Sequence, residues 1–243
     1  MDQVLEPLRA TRLTDLFIER FEELILSGRL SIGQKLPSER ELARQLAVSR
    51  PVVHDGLVEL SARGLVTIQP RVGTVVNDYR REGSLALLTS LMRHADAALR
   101  PDLLEGLLSM RALMEVETAR LAARHRTDAD LRDLDEVIAS EAKADPYDLD
   151  TVVGLDFELH HRVALASANP LYSMLLKSCE PAQRNLARLF FEVPGTVPIV
   201  FGFHAGLVEA IRERDGPAAA EVMRRLLHHG RDVLNDALNL RVR

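Results

Sequence analysis

Apolar positions along the first third of the chain follow a helical spacing, lose it, regain it twice and end in alternation. From Thr11 to Ser27 they fall at Leu13, Phe17, Phe21, Leu24 and Ile25, the rhythm of a helix with one buried face. The stretch SGRLSIGQKLP carries two glycines and a proline and predicts a loop. A second helix restarts in PSERELARQLA, where Ser38 and Glu41 stand at the spacing of a capping box: the hydroxyl takes a free backbone N–H and the carboxylate reaches back. Ser49 is placed to cap a third helix with Pro51 in its first turn, and Gly64 to end it. On that helix Val53, Leu57 and Leu60 share a core-facing side, while Arg50 and His54, four apart, share an outward one. LVTIQPRVGTVV then sets β-branched runs on either side of Pro70-Arg71-Val72-Gly73, the pattern of a small hairpin.

Residues Asn77 to Gly83 are polar and mostly charged, the pattern of a linker. From Ser84 onward helical spacing dominates, with spans near 84–99, 102–125, 128–144, 149–168, 170–192, 198–213 and 216–239 broken at Pro and Gly clusters. The expected architecture is therefore mostly α. A winged helix-turn-helix domain of three helices and a β-hairpin wing occupies 1–77, a linker 78–83, and an all-α bundle of six or seven helices 84–243.

Length agrees with this division, since 243 residues exceed the usual single domain. The single cysteine, Cys179, excludes an internal disulfide framework, and with no charged-then-apolar leader the expected location is the cytoplasm. No apolar run approaches the roughly 20 residues that span a bilayer, so no membrane partner is expected. The net charge of −5 argues against a chain that coats nucleic acid uniformly. Gly33 to Val76 differs: six Lys/Arg (Lys35, Arg40, Arg44, Arg50, Arg63, Arg71) face four acids (Glu39, Glu41, Asp55, Glu59).

A helix that follows a tight turn enters the major groove with its N-terminal residues at the base edges, and arginine to guanine is the commonest specific contact. Arg50 is thus the candidate base reader, and Arg40 is placed to reach phosphate or a base. Ser38, Ser49 and the amides at these helix starts suit phosphate oxygens. The competing reading is a solvated Arg50 on an ordinary helix pair. The capping box, the glycine stop and the hairpin weigh against it.

GQKLPSERELARQLAVSRPVVHDGLVELSARGLVTIQPRVGTVV resembles the winged-helix domain of GntR-type bacterial transcription regulators, whose members read G-x-x-L-P-S-E-R-E-L-A, then V-S-R-x-x-V-R-E-A-L, L-x-x-x-G-L-V and a glycine-rich wing. The resemblance implies DNA contact by Arg40, Arg50 and the wing. His54 and Asp55 stand where the family has Arg-Glu, and Arg71 where the wing has its first glycine. A neutral histidine makes weaker phosphate contacts than arginine, so Arg50 and Arg71 are expected to supply the main contacts while His54 modulates them.

In the helical half, LDFELHHRVALASANPLY puts Asp156 and His160 one turn apart on one helix face, FGFHAGLVEAI adds His204 and RRLLHHG adds His228 and His229. Converging oxygen and nitrogen donors in a bundle suit zinc, nickel or manganese. A surface Asp–His pair with isolated buried histidines is the plainer reading. The half resembles the FCD ligand-binding domain of the FadR subfamily, through LLSMRALMEVETARLAA and DFELHHRVALASANPLY. That resemblance implies a divalent metal on Asp156, His160 and His204, with a small carboxylate effector held by the metal and by Arg111. The family's fourth ligand position is Leu226 here, and His228, two residues on, points about 200° away. The segment from Ala168 to Leu207 also resembles metal-free, acyl-CoA-responsive members.

For Arg111 a structural salt bridge with Glu115 or Glu117 is the alternative. Arg184, Asn185 and Arg188 are candidates for lining the same cavity. The expectation is a homodimeric regulator, of the repressor type, on a palindromic operator. A metal-dependent hydrolase on Asp156, His160 and His204 is the rival; it lacks a His-Glu-x-x-His motif, a nucleophile elbow and a general base. An architectural DNA-binding protein without effector leaves the polar cluster unexplained.

Overall fold

The computed structural model of the chain describes residues 12–93 and 101–241; Thr11 and positions 94–99 of the expected 84–99 helix lie outside them. The described chain forms two compact units, divided between Ser90 and Leu91. No helix among the described residues is long and apolar enough to cross a membrane.

The first unit holds α1 (Arg12–Leu26), α2 (Glu39–Leu46), α3 (Arg50–Ala62), β1 (Val66–Gln69), β2 (Gly73–Val76), α4 (Tyr79–Glu82) and the start of α5 (Leu85–Arg93). Val53, Leu57 and Leu60 are buried as their spacing requires, and they meet Phe17, Phe21 and Ile25 of α1 in one core. Leu13, expected on that face, is 54% exposed, because the face that packs is shifted to Phe17, Ile18, Phe21 and Ile25. Gly56 lets α1 approach closely: a Cβ there would lie 2.3 Å from the Phe17 ring, which is itself stacked on Phe21 with centroids 4.4 Å apart.

Ser38 caps α2, its Oγ accepting from the Glu41 amide at 3.3 Å. The reciprocal half of the expected box is missing, because the Glu41 carboxylate accepts instead from Arg44 and Gln45. Between α2 and α3 the chain turns at Ala47, φ 53°. Ser49 holds the cap position of α3 with Pro51 in the first turn, yet its hydroxyl makes no capping bond. β1 and β2 pair antiparallel from Val66–Val76 to Gln69–Gly73, and the segment before α2 joins them, Leu36 N–H donating to Thr74 O at 2.9 Å.

The polar stretch expected as a linker is structured. Asp78 caps the short helix α4, and α4 abuts Gly64, φ 80°, so closely that a Cβ on Gly64 would lie 1.8 Å from the Glu82 carbonyl oxygen. Arg63 then ties α5 in: its Nη1 donates to Glu22 at 2.6 Å and to Ser90 Oγ at 2.8 Å, and Ser90 donates to Glu22 at 2.7 Å. With Glu22 and Ser90 buried, this network carries the first unit past position 83 to Ser90.

The described second unit is helical: α6 (Pro101–His125), α7 (Asp128–Glu141), α8 (Leu149–Ala166), α9 (Pro170–Ser178), α10 (Glu180–Phe191), α11 (Thr196–Arg212) and α12 (Gly216–Arg241). The helix expected over 170–192 is two helices, parted at Cys179. Pro181 is the cause: it has no N–H for the Lys177 carbonyl and is accommodated only in the first turn of a new helix. Helix α8 lies at the centre, packed by α6, α7, α9 and α10, while α12 runs along α6 and α11.

Gly56→Ala is expected to destabilise the first unit by roughly 1–3 kcal/mol, since the buried Phe17 ring must move to admit one methyl. Urea unfolding of the full chain, followed by the transition of this unit, measures it; an unchanged midpoint contradicts the close contact.

Candidate functional site

The first unit presents its cations unevenly. Arg63 is part-buried in the network above and Arg44 is paired with Glu41. Arg40, Arg50 and Arg71 are exposed, and none of them forms an ion pair among the described residues. Arg50 begins α3 and Arg40 lies in the first turn of α2, so both stand where free backbone N–H groups also face outward. Arg71 occupies the tip of the hairpin at φ 65°, a left-handed conformation that glycine adopts without cost. Where the resemblance expects a glycine, this chain thus has a cation in a left-handed conformation. His54 is exposed but engaged, with Nδ1 2.9 Å from Glu39 Oε1. The Glu39 hydrogen bond and charge raise its pKa.

In the second unit, α8 carries Asp156 and His160, and α11 carries His204, into one polar cluster. His160 is 3% and His204 0% exposed. One nitrogen of each ring is held by a buried carboxylate. His160 Nδ1 contacts Glu115 of α6, and His204 Nδ1 lies 2.6 Å from Glu141 of α7. Their Nε2 atoms lie 4.0 and 3.7 Å from Asp156 Oδ1. A buried carboxylate at Nδ1 orients each ring so that its Nε2 faces Asp156. The donor atoms of Asp156, His160 and His204 all lie within 4.8 Å of one another, and His204 Nε2 is buried with no hydrogen-bond partner among the described residues. A buried polar atom of that kind is costly unless it is paired. One carboxylate and two outer-sphere-held imidazoles fit a divalent cation such as zinc.

Arg111 completes the cluster. Its Nε donates to Glu115 Oε1 at 2.7 Å, so Glu115 bridges Arg111 and His160. Burial pushes the Glu115 carboxyl up, but the Arg111 and His160 charges outweigh it and hold it at about 2. Burial pulls His160 down, and the negative charges of Glu115 and Asp156 leave its pKa raised overall. Arg111 is salt-bridged to Glu115 and lines a cavity of about 50 Å³ beside Asp156 and His160. Leu226, at the expected fourth-ligand position, lines the same cavity. His228 is 72% exposed and pairs with Asp232, and His229 sits between Phe190 and Phe203.

Three candidates fall elsewhere. Helix α10 turns Ala182, Gln183, Leu186 and Phe190 inward, which puts Asn185 on the exposed surface. Arg184 pairs with Glu180 and lies over the Phe157 ring. Arg188 pairs with exposed Asp150. Two site residues are new. Glu141 had a signal, since it continues the buried Leu134 and Val137 face of α7. Arg231 also lines the cavity, on the face of α12 that carries Leu227 and Leu234.

Comparison with known families decides what these parts compose. Residues 16–76 match the bacterial regulatory proteins of the gntR family, and residues 106–229 match the FCD domain. The chain belongs to the GntR family, with an FCD domain. This regulator is 30% identical over 210 residues, 86% of its own length and 84% of the relative's, to a fatty acid metabolism regulator protein of Enterobacter sp. (strain 638). A protein of the same name from Klebsiella pneumoniae (strain 342) is 29% identical, with 87% and 86% covered. Among solved structures, a protein that controls expression of the Listeria monocytogenes agr system, Lar, matches with a TM-score of 0.58 at 16% identity, over 97% of this chain and all of the other. McbR/YncC of E. coli matches at 0.53, also at 16%, over 94% and 99%. At such identity these two share the fold. The family and these relatives are transcription regulators, so the hydrolase reading is set aside and the regulator is not an enzyme.

Removing the Glu115 carboxylate leaves Arg111 buried without its counter-charge, and Glu115→Ala is expected to cost about 3–5 kcal/mol in chemical unfolding. The acid limb follows the same group. Its folded carboxyl titrates at about 2 against an ordinary 4.5, so its contribution is complete above the unfolded value and is lost as pH falls toward 2. A variant whose stability and acid limb match wild type rejects the bridge.

Proposed function

We propose that this regulator binds a palindromic operator as a homodimer in the cytoplasm, represses transcription there, and is released by a small acidic metabolite in its FCD domain. In the reading unit, Arg50 contacts a base edge, with Arg40, Ser38, Ser49 and Arg71 on phosphates or the adjacent groove, and His54, tied to Glu39, tunes the contact. In the FCD domain, Asp156, His160 and His204 would hold a divalent metal, and the metal when bound supplies a Lewis-acidic centre for the effector's carboxylate. Arg111 offers that carboxylate a guanidinium, while Glu115 and Glu141 fix the two imidazole rings. Release follows linkage: the effector must bind the non-operator arrangement more tightly, and DNA must weaken the effector by the same factor.

The observation that carries the metal-dependent reading is the buried, partnerless Nε2 of His204 aimed at Asp156. The second reading, a metal-free regulator answering to acyl-CoA, draws on the names of the relatives and on Leu226 at the fourth-ligand position.

Gel shifts with the promoter region beside the regulator's own gene test the DNA assignment. Arg50→Ala is expected to weaken operator binding about 10- to 100-fold, the worth of one bidentate base contact. Unchanged affinity with an unchanged salt slope overturns it. The metal is tested separately, by equilibrium dialysis of untagged protein against zinc. About one ion per chain is expected in wild type and none in His204→Ala, while Leu226→His should retain zinc through a chelator wash that strips wild type. Wild type that takes up no zinc, yet leaves its operator on adding acyl-CoA, establishes the second reading.

A further inference from the structure

The cavity beside Asp156 and His160 is lined by two arginines, and they are held differently. Arg111, 14% exposed, is tied to a carboxylate that is itself buried and shared with His160. Arg231 of α12 is 33% exposed and pairs with Glu105 at 3.0 Å, whose side chain is 61% exposed; the same Nη2 donates to Ser109 Oγ at 3.1 Å. An ion pair this open to water is worth about 0–1 kcal/mol. A ligand carboxylate can therefore take the place of Glu105 on Arg231 at little cost, whereas Glu115 cannot be displaced from Arg111 without stranding buried charge. The two guanidiniums reach the cavity from different helices, Arg111 from α6 and Arg231 from α12, and the apolar side chain of Leu108 lines the same wall.

Gly230 supports a ligand in this space. It lies inside α12, where glycine costs roughly 0.5–1 kcal/mol relative to alanine. It lines the cavity, and a Cβ built there meets nothing within 4 Å. The space beside Arg231 at this position is therefore open.

We propose that Arg231 is a specificity-determining residue, and that the effector is a short dicarboxylate: one carboxylate at the Arg111 and Asp156–His160–His204 end, the other on Arg231. This rests on the reading of the cavity as a small-carboxylate site and adds the second charge. A guanidinium suits the outer position because its planar fork takes a carboxylate in two parallel hydrogen bonds. The apolar wall at Leu108 accepts a short methylene chain.

Calorimetric titration of the zinc-supplemented full-length protein with chain-matched acids, succinate against butyrate and adipate against hexanoate, tests this. Wild type is expected to bind one of the dicarboxylates at least tenfold more tightly than its monocarboxylate partner. Arg231→Gln should lower the dicarboxylate to the monocarboxylate level without changing the latter, and Arg231→Lys should restore part of the difference. A merely structural role for Arg231 moves both acids together. Glu105→Gln frees Arg231 from its competitor and should raise dicarboxylate affinity alone, which tests the assignment even where the Arg231 variants fold poorly. Equal binding of matched acids by wild type, or a preference that survives in Arg231→Gln and ignores Glu105→Gln, overturns the inference while leaving the carboxylate site standing. Binding of neither acid class removes the carboxylate reading itself, and the inference with it.

Discussion

The buried Glu115 carboxylate is the interaction on which the FCD domain's chemistry depends. It holds Arg111 with one oxygen and His160 with the other, so it both cancels a buried cation and sets which ring nitrogen faces Asp156. Taking such charges from water costs several kcal/mol per ion, and only a closed arrangement of partners offsets it. That closure explains why the cluster draws on four helices, α6, α7, α8 and α11. Each carboxylate that steadies a histidine comes from a different helix than the ring it steadies, so the cluster can form only once the bundle has packed.

The reading unit solves a parallel problem with the opposite outcome. There too an arginine, the part-buried Arg63, is held by a buried glutamate, Glu22, with Ser90 closing the triangle. No unpartnered acceptor is left over, and the network serves to join α1, α3 and α5. The remaining cations at helix starts and wing tip stay exposed. Burial and pairing thus separate Arg63, which holds the unit together, from the exposed Arg40, Arg50 and Arg71.

Legibility in the sequence followed the range of the interaction. Local rules placed the helix-turn-helix, the Gly64 stop and the hairpin, and spacing alone buried Val53, Leu57 and Leu60. The Asp156–His160 pair was readable because one helical turn fixes its geometry, and a second element carrying His204 was readable by resemblance. Interactions between distant segments were not. Glu41 obeyed the spacing of a capping box and was drawn off by Arg44 and Gln45. Arg184, Asn185 and Arg188 are polar groups on a largely apolar helix, and helix rotation, which polarity alone does not fix, keeps them out of the cavity lining. Glu141 and Arg231 lay on inward faces, but only the packed bundle shows what they meet. Pro181 is a local signal, and it divides α9 from α10.

The polar stretch after the wing shows the same limit from another side. The contact of α4 with Gly64 is made by the Glu82 carbonyl, an atom every residue possesses. The join therefore places almost no demand on the letters Tyr-Arg-Arg-Glu and a complete demand on one absent methyl eighteen positions earlier. Substitutions can accumulate through 79–82 while the joint keeps its shape, and a single side chain at 64 would undo it. A segment can in this way have the composition of a tether and the fixed geometry of a bracket.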